Sequence, residues 1–239
     1  MVDVTYEEQI AEDLFQWRKK ITKKSTLINR VSKKVQVKIN EKIPEKAHQV
    51  VTESIRKMVQ GTLVGSEYTT RTTSDPFLSI EEKERLVLEK INFYKRTAAI
   101  EGAGTGAGGI LLGLADFPLL LSIKMKFLFE TAASYGFDTS KYEERIFILS
   151  IFQLAFSSDS HRRRTLELIE NWETERYTMR ETDWRIFQQE YRDYIDFVKM
   201  LQLIPGIGAV VGAYANYNLL DHLGETAMNC YRLRVLNKK

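Results

Sequence analysis

The sequence predicts an all-α fold, a multi-helix globular bundle built around two glycine-striped, closely packed core helices. Three observations predict it. Apolar residues recur at spacings of three and four along most of the chain. Only four prolines interrupt 239 residues. Ser79, Ser140 and Thr178 are each followed three residues later by glutamate, the pattern of a capping box that opens a helix.

Taken in order, Tyr6, Ile10, Leu14, Trp17 and Ile21 form one apolar stripe, so the first helix is amphipathic. Ser25 caps a second helix carrying Ile28, Val31, Val35 and Ile39, although Val35 to Ile39 also alternates as a strand would. Pro44 suits a helix start, and Ala47, Val50, Val51, Ile55 and Met58 continue a third. Residues 66–78 are the one extended polar loop and mark a boundary. A basic N-terminal helical module, 1–65, precedes it, and a helical body, 79–239, follows; the alternative is one continuous domain. Gly136 stops the helix that ends at Tyr135. Trp184, Phe187, Tyr191, Tyr194, Val198 and Leu201 make a further stripe at helical spacing, read as core.

The net charge of +3 conceals an asymmetry. Residues 1–17 hold five acids and no base, whereas Arg18 to Lys57 holds thirteen Lys or Arg against three Glu. Such a region attracts an anionic partner, whether lipid headgroups, nucleic acid or an acidic protein. Its candidate binding residues are Lys19, Lys20, Lys23, Lys24, Arg30, Lys33, Lys34 and Lys38, all on helices whose apolar stripes can bury against the body. No nucleic-acid recognition motif accompanies them, so an anionic membrane surface is the preferred partner. The acidic start lacks the apolar run of a secretory signal, and Cys230 stands alone, which permits a reducing compartment. The expected location is cytoplasmic, peripheral to the inner face of the cell membrane.

Two glycine-rich stretches depart from ordinary surface-helix composition. Wound as one helix from Glu101 to Asp116, the first aligns Gly102, Gly106, Gly109 and Gly113 with Ala98; the second, from Ile204 to Asn216, aligns Gly208 and Gly212 with Ala215. Each glycine costs a helix about 1 kcal/mol against alanine. Close backbone approach between the two stretches would offset that cost. The first stretch lacks the Lys-Ser/Thr that completes a phosphate-binding loop, and no strand precedes it. Met200 to Leu220 carries no charge, but Gln202, Asn216, Asn218 and the Pro205-Gly206 break favour a buried helix over a membrane span. A conditionally inserting hairpin is the alternative.

On these residues the chain resembles the EcsC protein family. Glu101-Gly-Ala-Gly-Thr-Gly-Ala-Gly-Gly109 with Leu114-Ala-Asp116-Phe-Pro118 is similar to a first family signature, and Ala133-Ser-Tyr135-Gly136-Phe-Asp138 to a second. Ile204-Pro205-Gly-Ile-Gly208 through Asn218, with Thr226 to Arg234, is similar to a third. The basic start resembles the subgroup from low-GC Gram-positive bacteria. The resemblance implies a gene beside the ATPase and membrane subunits of an ABC transporter tied to secretion and membrane proteolysis. It implies no reaction.

Glu101 and Asp116 are the two candidate functional carboxylates. On one helix they would stand about 22 Å apart, too far for a shared site; Asp116, two residues before Pro118, reads as a helix cap. His48, His161 and His222 share no metal-ligand spacing, and no metal or cofactor is expected. Ser158 to Arg164 could hold a phosphate at a helix start, although a solvated start is commoner. Cys230 reads as a small core residue. The residues therefore favour a non-enzymatic accessory or regulatory protein, and the resemblance implies that it works with an ABC transporter at the membrane face. The competing class is a hydrolase-like enzyme using Glu101 or Asp116.

Overall fold

The computed structural model describes residues 5–23, 45–65, 68, 75, 77–107, 116–156, 159–176 and 208–237. Among these the chain forms eight helices and no strand: α1 (Tyr6–Thr22), α2 (Glu45–Val64), α3 (Ile80–Ala107), α4 (Phe117–Ser134), α5 (Tyr142–Phe156), α6 (Asp159–Glu170), α7 (Trp172–Glu175) and α8 (Gly208–Leu236). The fold is all-α, as the periodicity predicts.

α1 begins at a capping box that the sequence reading missed: the Glu8 N–H donates to the Thr5 hydroxyl, and the Glu8 carboxylate accepts from the Thr5 N–H at 2.8 Å. Its stripe then buries Ile10, Leu14, Trp17 and Ile21. Each such side chain contributes about 1.5–3 kcal/mol when fully buried, against tenths for residue propensity, so packing rather than propensity holds α1 in place. Ile55 and Met58 of α2 are buried as expected, but Val50 is 41% exposed and lies off the core face.

α4 and α5 bury side chains on nearly every face and form the centre of the bundle. α4 ends in a Schellman motif: Gly136, at φ +88°, donates to the Ala133 carbonyl, and Phe137 to that of Ala132. The capping box at Ser79 forms, with the Ser79 N–H 2.8 Å from the Glu82 carboxylate. The one expected at Ser140 does not. Asp138 reaches forward and takes both the Ser140 N–H and hydroxyl, at 3.0 and 2.6 Å, leaving Glu143 without that partner. The Thr178 box and the stripe from Trp184 to Leu201 lie outside the described residues, as does the second helix from Ser25 to Ile39.

The longest helices, α3 and α8, pack antiparallel. Glu84 meets Arg232, Ile91 meets Gly224 and Lys95 meets Asp221, a constant register along both. α4 returns antiparallel to α3, its Glu130 accepting from Tyr94 and Lys90 while Tyr135 reaches Glu84. One helix running from Glu101 to Asp116 is therefore ruled out. α3 runs to Ala107, and α4, with Pro118 in its first turn, runs back along it. Buried residues of α1 and α2 join those of the later helices in a single hydrophobic core.

Candidate functional site

The most elaborate chemistry among the described residues is a chain of polar groups in the core. Glu84 is 1% exposed, and its α3 position continues the buried row Val87, Ile91, Tyr94 and Ala98. A carboxylate there must be paired. Arg232 supplies two parallel hydrogen bonds, from Nε at 2.7 Å and Nη2 at 2.6 Å. The Tyr6 and Tyr135 hydroxyls donate to the same carboxylate, at 2.7 and 3.2 Å. Four donors saturate its acceptor sites. Burial and then the Glu84 hydrogen bond push the Tyr6 phenol up to about 12. Burial opposes the charge of Arg232, but its hydrogen bonds and attraction to Glu84 outweigh that and raise its pKa.

A second pair lies beyond it. Glu144 of α5 accepts from Arg234 at 2.7 Å and from the Tyr231 hydroxyl at 2.8 Å. The Arg234 guanidinium lies over Phe137 and Phe147, 4.0 and 4.3 Å from the ring centroids. Tyr135 and Tyr231 stack at 5.2 Å and connect the two pairs. Burial raises the pKa of both phenols well above the ordinary value. This arrangement holds protons tightly and ties α1, α3, α4, α5 and α8 together.

Where Arg232 approaches the surface, α1, α3 and α8 enclose a groove of about 470 Å³. Trp17, Ile91 and Met228 line it, and ion pairs cross its rim: Lys20 to Glu225 at 2.7 Å, Asp13 to Arg232 at 3.5 Å, and Lys95 to Asp221. Its charges are mutually neutralised. Lys124 of α4 differs, being 3% exposed with no hydrogen bond or ion pair among the described residues. Burial draws its amine down to about 8.

Glu101 sits half-buried in α3, and Asp116 half-buried at the start of α4. They lie on antiparallel neighbours, and no hydrogen bond or ion pair joins them among the described residues. Asp116 holds the N-cap position but makes no side-chain capping bond: its backbone is helical, φ −92° and ψ −3°, and Pro118 offers no N–H. Gly102 and Gly106 fall in the last turns of α3, and Gly208 and Gly212 in the first turns of α8, at the same end of the pair; Gly109 and Gly113 lie outside the described residues. Of the basic residues, Lys19 is exposed with its amine over Phe15 at 4.0 Å, Lys23 is exposed, and Lys20 is engaged by Glu225. Lys24, Arg30, Lys33, Lys34 and Lys38 lie outside the described residues. Cys230 is fully buried, and His222 is 2.9 Å from the Ala155 carbonyl, its pKa lowered by burial. Among the described residues no group of three His, Cys, Asp or Glu could hold a metal ion.

Tyr135 and Phe137 come from the second of the signature stretches, and Tyr231, Arg232 and Arg234 from the third; the fold brings them together. Residues 8–236 match the model of the EcsC protein family. The chain belongs to the EcsC family. Protein EcsC of Bacillus subtilis (strain 168) is 52% identical over 235 residues, covering 98% of both chains. Uncharacterized protein YdbA of the same organism is 33% identical over 141 residues, 57% of this chain and 52% of that protein. No solved structure matches. For this EcsC-family chain, the residues overlooked in the sequence are Glu84 and Glu144. Their signal was available: each is a carboxylate on the apolar row of its helix.

Proposed function

We propose that this EcsC-family protein is a non-enzymatic accessory or regulatory protein. In this reading it docks through its basic N-terminal region on the anionic cytoplasmic face of the membrane and works there with an ABC transporter of secretion. The observation that carries the reading is the setting of α1. Its apolar stripe is spent on the core, while Lys19 and Lys23 point outward at its C-terminal end. Bases near an anionic leaflet contribute about 1 kcal/mol each, so a handful acting together gives useful affinity. The buried Glu84 is saturated, and the buried Glu144 paired, by arginine and tyrosine donors, which suits cross-links in a scaffold. The transporter partner rests on the family resemblance alone.

Flotation with liposomes tests the docking. The protein should float with phosphatidylglycerol vesicles, not with neutral ones, and be released by high salt. Changing Lys19, Lys23, Lys24 and Lys33 to Glu should abolish binding. Equal binding to neutral vesicles would defeat the electrostatic account. Crosslinking and affinity capture from membranes should recover transporter subunits. The hydrolase-like alternative expects loss of cellular function in Glu101→Gln or Asp116→Asn with an unchanged melting curve; the accessory reading expects both variants to function.

A further inference from the structure

α3, α4 and α8 extend past α1 and α5, two of the helices that flank them. Lys20, in the last turn of α1, pairs with Glu225, and Ala155, in the last turn of α5, meets His222. Both flanking helices therefore stop at the level of about residue 222 on α8. Gly208 to Asp221 continues beyond that level for about 20 Å, at roughly 1.5 Å per residue. The antiparallel register carries the end of α3 alongside it, and α4, parallel to α8, begins there.

The composition of this end is unusual. From Gly208 to Leu220 α8 bears no charge, and α4 bears none from Phe117 to Ile123. The charged groups that α3, α4 and α8 place here are Arg96, Glu101 and Asp116, with Lys124 buried in α4 and Lys95 and Asp221 paired at the base. Apolar side chains are nonetheless in water here: Ile100 is 73% exposed and Leu119 46%, joined by the Tyr217 ring, 39% exposed beneath the Lys95 amine, while Phe93, 64% exposed, stands at the base. A single exposed leucine needs no explanation, but several gathered at one uncharged end do. Lys19 and Lys23 stand at the level where α1 stops, and Arg96 is exposed one turn above. The described chain also leaves this region at Lys23 into a stretch, 24–44, with six bases and one acid. An apolar tip above a cationic shoulder, with Tyr217 between them, matches the layering of an anionic bilayer surface: hydrocarbon, aromatic interface, phosphate. Among the described residues no helix is long and apolar enough to cross a membrane, so the match is to interfacial insertion.

We infer that the α3–α4–α8 end is a lipid-inserting tip, with Ile100 and Leu119 entering the bilayer interface and Lys19, Lys23 and Arg96 meeting the headgroups. The inference rests on the membrane-docking reading and adds an orientation: the bundle stands on this end, with the α4–α5 turn facing away.

Cys230 is fully buried, so an introduced surface cysteine can be labelled selectively. The full chain carrying Ile100→Cys, Leu119→Cys or, at the far end, Ser140→Cys is labelled with an environment-sensitive nitrobenzoxadiazole dye. With phosphatidylglycerol vesicles the labels at 100 and 119 should brighten severalfold, shift blue and be quenched by lipid-borne nitroxide; the label at 140 should not change. A protein that floats while positions 100 and 119 stay silent, or while 140 responds, overturns the tip and leaves electrostatic docking standing. Failure to float overturns both. Labels at 100 and 119 that are already blue-shifted without vesicles show a tip covered by protein, which also refutes the inference.

Discussion

Arg232 closes on Glu84 through two hydrogen bonds of 2.7 and 2.6 Å, joining residues 148 positions apart and locking the register of the two longest helices. Removing one member of a buried pair strands the other charge, which costs about 3–5 kcal/mol. Glu84→Gln or Arg232→Met should therefore lower the denaturation midpoint sharply. The double variant should lose less than the sum of the two, because no charge is left unpaired. Additive losses in a double-mutant cycle would deny the pair its role.

Gly224 presses on Ile91. A Cβ built at Gly224 would lie 2.8 Å from Ile91 Cγ1 and 2.9 Å from Cδ1. Gly224→Ala gains about 1 kcal/mol of helix propensity but overpacks the contact, a penalty of roughly 1–3 kcal/mol. The net effect should be destabilising, with Gly224→Leu far worse. Adding Ile91→Val should restore part of the loss in urea melts. A Gly224→Ala protein more stable than the parent would show that Ile91 yields freely.

Lys124 should be a source of instability. Its folded pKa of about 8 lies below the ordinary 10.5 because burial disfavours the ammonium. Below pH 8 both folded and unfolded chains carry the proton and the full penalty, about 3 kcal/mol, applies. Between about 8 and 10.5 the unfolded chain binds more protons, so this contribution makes stability rise with pH. Lys124→Met should raise the melting temperature at pH 7 and remove that alkaline gain. Parallel pH profiles for the two proteins would contradict the assignment.

Asp116→Ala should change stability by less than about 0.5 kcal/mol, the range of an uninvolved surface substitution, since its carboxylate caps nothing. A loss near 1 kcal/mol in thermal melts would mean that the side chain does bond to the first turn.

Much of the fold was legible locally. The α1 stripe, the Ser79 box and the Gly136 stop depend on neighbours a few residues away, and each formed as read. Ser140 failed for a local reason of its own: Asp138 competes for the same hydroxyl and amide. Glu101 and Asp116 do not share a helix, because α4 runs antiparallel to α3, an arrangement that the glycine period does not encode.

The candidate site was legible only as isolated oddities, Glu84 and Glu144 on apolar rows and Arg232 and Arg234 inside a signature. By itself the sequence determined the all-α class, the buried stripe of α1, the basic N-terminal region and the family, because periodicity, charge and motif are properties of the linear order. Only the tertiary structure decided that Glu84 receives Arg232, Tyr6 and Tyr135, that Gly224 faces Ile91, and that α3 and α8 outrun α1 and α5. A helix repeats a face every few residues but carries no record of which helix that face will meet. Partner and register are chosen together, by the packing in which every buried charge finds an opposite and every large side chain finds room.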